Sequence, residues 1–210
     1  MALWGVFAAT AAVIGCTYGP VHTAVELGNA VARPGSHVFA MASIWTRQRD
    51  PEGFLATFPD GGVRKVIELE PRVYVIDVAR RRVMRVAEIP GFAGIPRLES
   101  VNIEGWHGDD LYFRLFGYGG SGWHGDDMAD ARQFFFRVSP GGNVDPVEQL
   151  PARLESAAES GPTGDPPFLR LSRGHAEIDI GIDGLPGSST KKARVVIDPV
   201  TGEPKFDAVQ

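Results

Sequence analysis

The hexapeptide GWHGDD occurs twice, at Gly105–Asp110 and at Gly122–Asp127, the second copy starting 17 residues after the first. Each copy supplies one imidazole and two carboxylates: His107, Asp109 and Asp110, then His124, Asp126 and Asp127. Imidazole nitrogen combined with carboxylate oxygen suits Zn²⁺ and other transition metals, and carboxylate oxygens suit Ca²⁺ or Mn²⁺. Two short loops that each offer a His and an Asp can close around one ion. His107, Asp109, His124, Asp126 and Asp127 are therefore a candidate divalent-metal set. The spacing matches neither an EF-hand loop nor HExxH. The first copy also has a metal-free reading: Trp106 ends a strand, His-Gly-Asp-Asp turns the chain, and Leu111 opens the next strand. In that reading Asp109 or Asp110 accepts hydrogen bonds from turn amides. The second copy is led into by GYGGSG (117–122) and followed by MADAR, a loop with no strand-capping task.

Other chemistry is sparse. GYGGSG lacks the Lys and the following helix of a phosphate-binding loop, and Trp123 stands where the last Gly of a G-x-S-x-G elbow belongs. His22, His37 and His175 are scattered without clustered acidic partners and read as strand-end or surface residues. Aromatic residues concentrate in one third of the chain: Trp106, Tyr112, Phe113, Phe116, Tyr118, Trp123 and Phe134 to Phe136. Core packing accounts for most of them. Some can line a ligand or glycan site, with Trp123 the best placed for exposure.

The elements that must position these residues are strands. At 210 residues, 43% hydrophobic and 22% charged, the chain has the composition of a globular protein with a real core. Its 26 Gly and 16 Pro favour many turns over long helices. A net charge of −5 offers no clustered positive surface for nucleic acid. The run Arg80-Arg81-Arg82 with Arg85 reads as a solvated hairpin tip.

Val, Ile, Phe and Tyr-rich segments bounded by Gly, Pro, Asp or Asn predict strands. They fall at 37–47, 53–58, 63–70, 72–78, 83–89, 100–106, 111–118, 133–138, 168–172, 176–182 and 193–199. Along 73–78, Val73, Val75 and Asp77 share one face and Tyr74, Ile76 and Val78 the other. PDGG (59–62) and SPGGN (139–143) are hairpin signals. Val147 to Ser160, interrupted by Pro151, reads as a linker with at most two helical turns.

Met1 to Gly15 is uncharged and almost wholly apolar or small, too short for a spanning helix and suited to a signal peptide. Val13-Ile14-Gly15-Cys16 resembles the lipobox of bacterial lipoproteins, and Cys16 is the only cysteine. The resemblance implies a signal peptide over 1–15, acylation of Cys16, and a membrane partner through the lipid anchor. Thr17 in place of Asp after the Cys implies, in the same family, sorting to the outer membrane, facing the periplasm. The alternative is a core strand or helix ending in a buried Cys. Residues 16–35 read as a tether, in which Thr23 to Ala32 forms either a short helix or a first strand, and 36–210 as one β-rich domain.

Three segments share one grammar of strand, polar turn and weaker strand: 72–90, 133–151 and 193–209, with Asp77, Arg137 and Asp198 in equivalent places. HGDDLYFRL (107–115) and RVYVIDVARRRVMRVAEI (72–89) make the pattern similar to blades of TolB-type β-propellers. The implied fold is mainly β, with antiparallel sheets in propeller-like repeats of about 60 residues, longer than the usual 40–45. A β-sandwich or open β-meander is the alternative.

With no recognisable catalytic set, the expected function is a non-catalytic envelope lipoprotein that binds or assembles, its partner an envelope protein or a glycan. The alternative is an exported metal-dependent hydrolase or lyase using the duplicated loops.

Overall fold

The fold is taken from a computed structural model that describes residues 17–52, 65–86, 89, 97–118, 131–155, 168–173, 177–183 and 191–207. Chain order begins with β1 (Thr17–Tyr18), β2 (His22–Ala32), β3 (Val38–Arg49), β4 (Pro51–Glu52), β5 (Lys65–Asp77) and β6 (Arg82–Arg85). It continues with β7 (Arg97–His107), β8 (Asp110–Tyr118), β9 (Ala131–Val138) and β10 (Val144–Val147). The last strands are β11 (Phe168–Arg173), β12 (Glu177–Asp183), β13 (Lys191–Ile197) and β14 (Pro204–Asp207). The protein is mainly β, and no helix occurs among the described residues. Three four-stranded antiparallel sheets have the orders β2-β3-β5-β6, β7-β8-β9-β10 and β11-β12-β13-β14; β1 pairs with β4 separately.

Two compact units divide the chain: Met1–His22 with Arg47–Glu68, and Thr23–Thr46 with Leu69–Gln210. In the smaller unit the Gly19 amide donates to the Asp50 carbonyl at 2.9 Å, His22 Nε2 lies 3.5 Å from Asp50 Oδ2, and the Lys65 ammonium sits 5.9 Å from the Tyr18 ring centre. Val21, Val66 and Ile67 are exposed there.

In the larger unit the first sheet in sequence is the middle layer in space. Side chains alternate across a strand, so Ala40, Ala42 and Ile44 of β3 with Val73 of β5 face one way. They share a core with Val101, Ile103, Phe113, Leu115 and Phe136 of the second sheet. Phe39, Met41, Tyr74 and Ile76 face the other way and share a core with Ile178, Ile180, Val195 and Ile197 of the third. A sheet covered on both faces reads as a near-continuous apolar run, which is what VFAMASI (38–44) and VYVI (73–76) are.

Packing and pairing explain two strands that the sequence pattern leaves ambiguous. Residues 22–32 are strand β2 rather than part of a tether or a short helix. A Cβ on Gly28 would lie 2.4 Å from the Val101 carbonyl oxygen and 2.9 Å from Ala42 Cβ, so the small residues there serve sheet contact. The Asn29 amide then donates to the Ile103 carbonyl (2.7 Å) and accepts from the Ile103 amide (2.6 Å), closing the edge of β7 with a side chain. The segments 63–70 and 72–78, separated in the sequence reading by Pro71, are one strand over their described part. The Val73 carbonyl accepts from Val86 on the β6 side, and Pro71, two residues earlier, faces that side beyond the β6 ladder. Its missing N–H therefore costs no ladder bond.

The remaining differences are local. Beyond β10, residues 148–155 contain no helix; instead Glu155 exchanges backbone hydrogen bonds with Trp106 at 2.9 and 2.7 Å. SPGGN turns β9 into β10, with Gly142 at φ 85°. Residues 53–58 and the PDGG turn lie outside the described residues.

Candidate functional site

The first GWHGDD copy is a strand–turn–strand junction. His107 pairs with Asp110 across β7 and β8, and Gly108-Asp109 are the two turn residues. Gly108 has φ 60°, the conformation that a first-position glycine supplies in a type II′ hairpin. Upstream, Gly105 (φ 146°) sits at a register shift, where a Cβ would come within 3.0 Å of both Glu155 O and Leu154 Cβ. Trp106 is buried, its indole N–H donating to Val31 O at 3.4 Å.

The carboxylates of this turn face arginines rather than turn amides. Asp109 pairs with Arg33, whose guanidinium also lies 5.8 Å from the Trp106 ring centre. Asp110 lies 3.9 Å from Arg137, and His107 Nδ1 is 3.3 Å from the Arg153 carbonyl oxygen. Among the described residues no three His, Cys, Asp or Glu side chains converge as a metal centre would need. His124, Asp126, Asp127, Trp123 and Cys16 lie outside the described residues.

A larger surface is built by the second sheet. Its inward side chains, Leu111, Phe113 and Leu115 on β8 with Phe134, Phe136 and Val138 on β9, belong to the core or pack against it. Phe113 and Phe136 stack at 5.0 Å. Period two places Tyr112, Arg114, Phe116 and Tyr118 of β8 on the opposite face, beside Gln133, Phe135 and Arg137 of β9. Tyr112 is buried there, while Arg114, Phe116 and Tyr118 keep part of their surface open. Cross-strand register pairs Tyr112 with Arg137, Arg114 with Phe135 and Phe116 with Gln133. Each row therefore sets an aromatic ring beside a polar or charged group. Asn102 of β7 joins the Arg114 row, and Asp145 of β10 joins the Arg137 row.

Charges on this face are paired. Arg114 Nε lies 2.8 Å from Glu104 Oε1, and its Nη1 donates to Gln133 Oε1 at 3.3 Å. Arg137 Nη2 lies 2.8 Å from Asp145 Oδ2, and the hydrogen bond to Asp145 holds the guanidinium proton more tightly than usual, aided by Asp110. Phe116 and Tyr118 meet edge to face at 5.5 Å. Such a surface can bind, through ring faces and planar hydrogen-bonding groups.

A second cluster was invisible in the sequence. Arg72, only 7% exposed, pairs with Glu70 at 2.8 Å and Glu203 at 3.5 Å. Arg85 also pairs with Glu70 and reaches Glu203 at 3.4 Å, so two guanidiniums and two carboxylates alternate in a closed ring. The Trp45 ring covers Arg72 at 4.9 Å, while Arg72 Nη1 donates to the Thr201 carbonyl. Beside it, burial pushes the Tyr74 hydroxyl up to about 12, with the Glu203 charge adding to the shift. In the adjoining turn, the Lys205 ammonium and the Thr201 and Val200 amides hold the Asp198 carboxyl well below the usual carboxylate range. Glu203 lies 131 residues from Arg72 along the chain, and no local pattern links them. The one signal available was an Arg between Pro71 and the apolar run VYVI (73–76).

Compared with known proteins, the chain matches no protein-family model, no curated protein and no solved structure.

Proposed function

We propose that this chain is a cell-envelope lipoprotein, anchored through Cys16 in the outer membrane and facing the periplasm. Its β-rich domain binds or assembles and performs no chemistry of its own. The outward face of β7–β10 carries this reading: aromatic rings and ion-paired polar groups interleave there, outside the core. That is the residue make-up of a binding surface, where aromatic anchors give contact area and a few polar groups give orientation.

Further support comes from the N-terminal residues. Val13-Ile14-Gly15-Cys16 has the lipobox order, and β1 begins at Thr17, the next residue. An acylated Cys16 then brings the smaller unit to the bilayer, and exposed Val21, Val66 and Ile67 in that unit suit an apolar interface. Three consecutive four-stranded meanders support the propeller-like repeat, each sheet serving as one blade. In that reading β2 and β7 are innermost strands, consistent with the Gly28–Val101 approach and the Asn29–Ile103 hydrogen bonds.

The test uses cells that express the full chain. Radiolabelled palmitate enters the wild type and not Cys16→Ala, and the protein fractionates with outer membranes. A photo-crosslinking residue at Gln133 captures an envelope component, and one at Asp179 on the third sheet does not. Equal palmitate labelling of both proteins overturns the anchor. Absence of any adduct at Gln133, or the same adduct at Asp179, overturns the binding face.

A further inference from the structure

We propose that the outward face of β8 and β9 is a platform for a neutral glycan, a class of ligand chosen by its charge and geometry. The inference rests on the binding-face reading above and narrows it to one chemistry. Saccharide rings present flat C–H faces that pack on aromatic rings, and equatorial hydroxyls that suit planar hydrogen-bonding groups. Phe116, Tyr118 and Phe135 supply the rings, each half-buried in the sheet with part of its surface open. Arg114, Gln133 and Glu104 supply the planar groups between them.

Register makes the arrangement periodic. Phe116 lies opposite Gln133, and Phe135 lies opposite Arg114, so ring and polar group exchange strands from one row to the next. Successive rows on one face are two residues, or about 6.8 Å, apart along a strand. An extended ligand lying along β8 and β9 therefore meets a ring and a hydrogen-bonding group at these two successive steps, and a further ring, Tyr118, at the next. Gln133 is exposed, and the Arg114 and Glu104 side chains keep 32% and 23% of their surface open, enough to meet a hydroxyl without leaving each other.

Charge decides against the other polymer that stacks on aromatic sheet faces. Single-stranded nucleic acid needs guanidinium or ammonium groups free to neutralise phosphates. Here Arg114 is held by Glu104, and Arg137 by Asp145 with Asp110 nearby. Added carboxylates leave the face neutral to acidic, which repels a polyanion and accepts a neutral polyol. A greasy protein partner is also poorly matched, because covering this face with apolar groups strands those ion pairs away from water.

The experiment titrates full-length protein, purified in a detergent without a sugar headgroup, with neutral hexasaccharides of β-1,4-glucose, β-1,4-N-acetylglucosamine and α-1,4-glucose. Calorimetry and aromatic fluorescence read binding, and a heparin-type anionic glycan is run alongside. At least one neutral hexasaccharide binds, and Phe116→Ala, Phe135→Ala and Gln133→Ala each weaken it at least tenfold. Arg194→Ala, on the third sheet, changes it less than twofold. Gln133→Ala is a change at an exposed position that keeps the fold, and circular dichroism checks the fold of every variant. No binding by any neutral hexasaccharide overturns the proposal, as does binding untouched by the three face variants or tighter binding of the anionic glycan. If the face variants instead abolish a self-association or a crosslinked protein adduct, the glycan is overturned while the binding-face reading stands.

Discussion

Arg72 gives the most informative single perturbation. In Arg72→Ala four things are lost together: the 2.8 Å pair with Glu70, the longer pair with Glu203, the hydrogen bond to the Thr201 carbonyl and the stack on Trp45. Breaking a buried pair from one side costs about 3–5 kcal/mol. The partners here are more than a third exposed and keep Arg85, so solvent and the second guanidinium absorb part of that cost. An unpaired carbonyl adds about 1 kcal/mol and the lost cation–π contact about as much again. We expect a net loss of about 3 kcal/mol, which in a chain of this length lowers Tm by about 6–12 °C. Urea titration followed by far-ultraviolet circular dichroism measures the loss. Double-mutant cycles with Glu203→Gln and Glu70→Gln measure the coupling, expected near 1 kcal/mol for each pair. A loss under about 1 kcal/mol, or zero coupling in both cycles, would refute the closed ring as a fastening of the β13–β14 turn.

Three other outcomes follow from the same geometry. The Tyr74 hydroxyl titrates near 12 in the folded chain against an ordinary 10.0, so its contribution is complete below pH 10 and is lost as pH rises towards 12. That component amounts to roughly 3 kcal/mol; urea unfolding at pH 9 to 11.5 should show a smaller alkaline loss in Tyr74→Phe, and parallel curves for both proteins contradict the shift. Asp198 behaves oppositely: its depressed carboxyl supports the fold above the ordinary aspartate range and withdraws support as pH falls below it. Asp198→Ala should be less stable than wild type at pH 7, with the gap closing in acid. Gly28→Ala places a methyl 2.4 Å from the Val101 carbonyl oxygen, both backbone-bound, and should destabilise by about 3 kcal/mol in thermal melts; a change below 1 kcal/mol means β2 and β7 are not packed this closely.

Much of this protein is written locally. Alternation in 73–78 separates Val73 and Val75 from Tyr74 and Ile76, and those two sets enter different cores. SPGGN and His-Gly-Asp-Asp turn the chain where their glycines permit positive φ, because turn chemistry depends on only a few neighbouring residues. The outward set of β8 and β9 was also legible as an aromatic concentration. Which of those rings face the core follows from the two-residue period once the inward face is known.

What tertiary structure alone decided are questions of partnership. Nothing within 22–32 distinguishes a tether, a helical turn or a strand; Gly28, Asn29 and their approach to Val101 and Ile103 do. Periodicity shows that VFAMASI has two apolar faces, but only docking of both other sheets makes the first sheet the middle layer. Asp109 and Asp110 look like ligands or turn caps in isolation, and become ion-pair partners because folding brings up Arg33 and Arg137. The Arg72 ring joins Glu70 and Arg85 to Glu203 across most of the larger unit. Strand and turn signals arise from steric preferences within a few residues, whereas charge pairing and layer order arise between segments that the chain connects only through long loops.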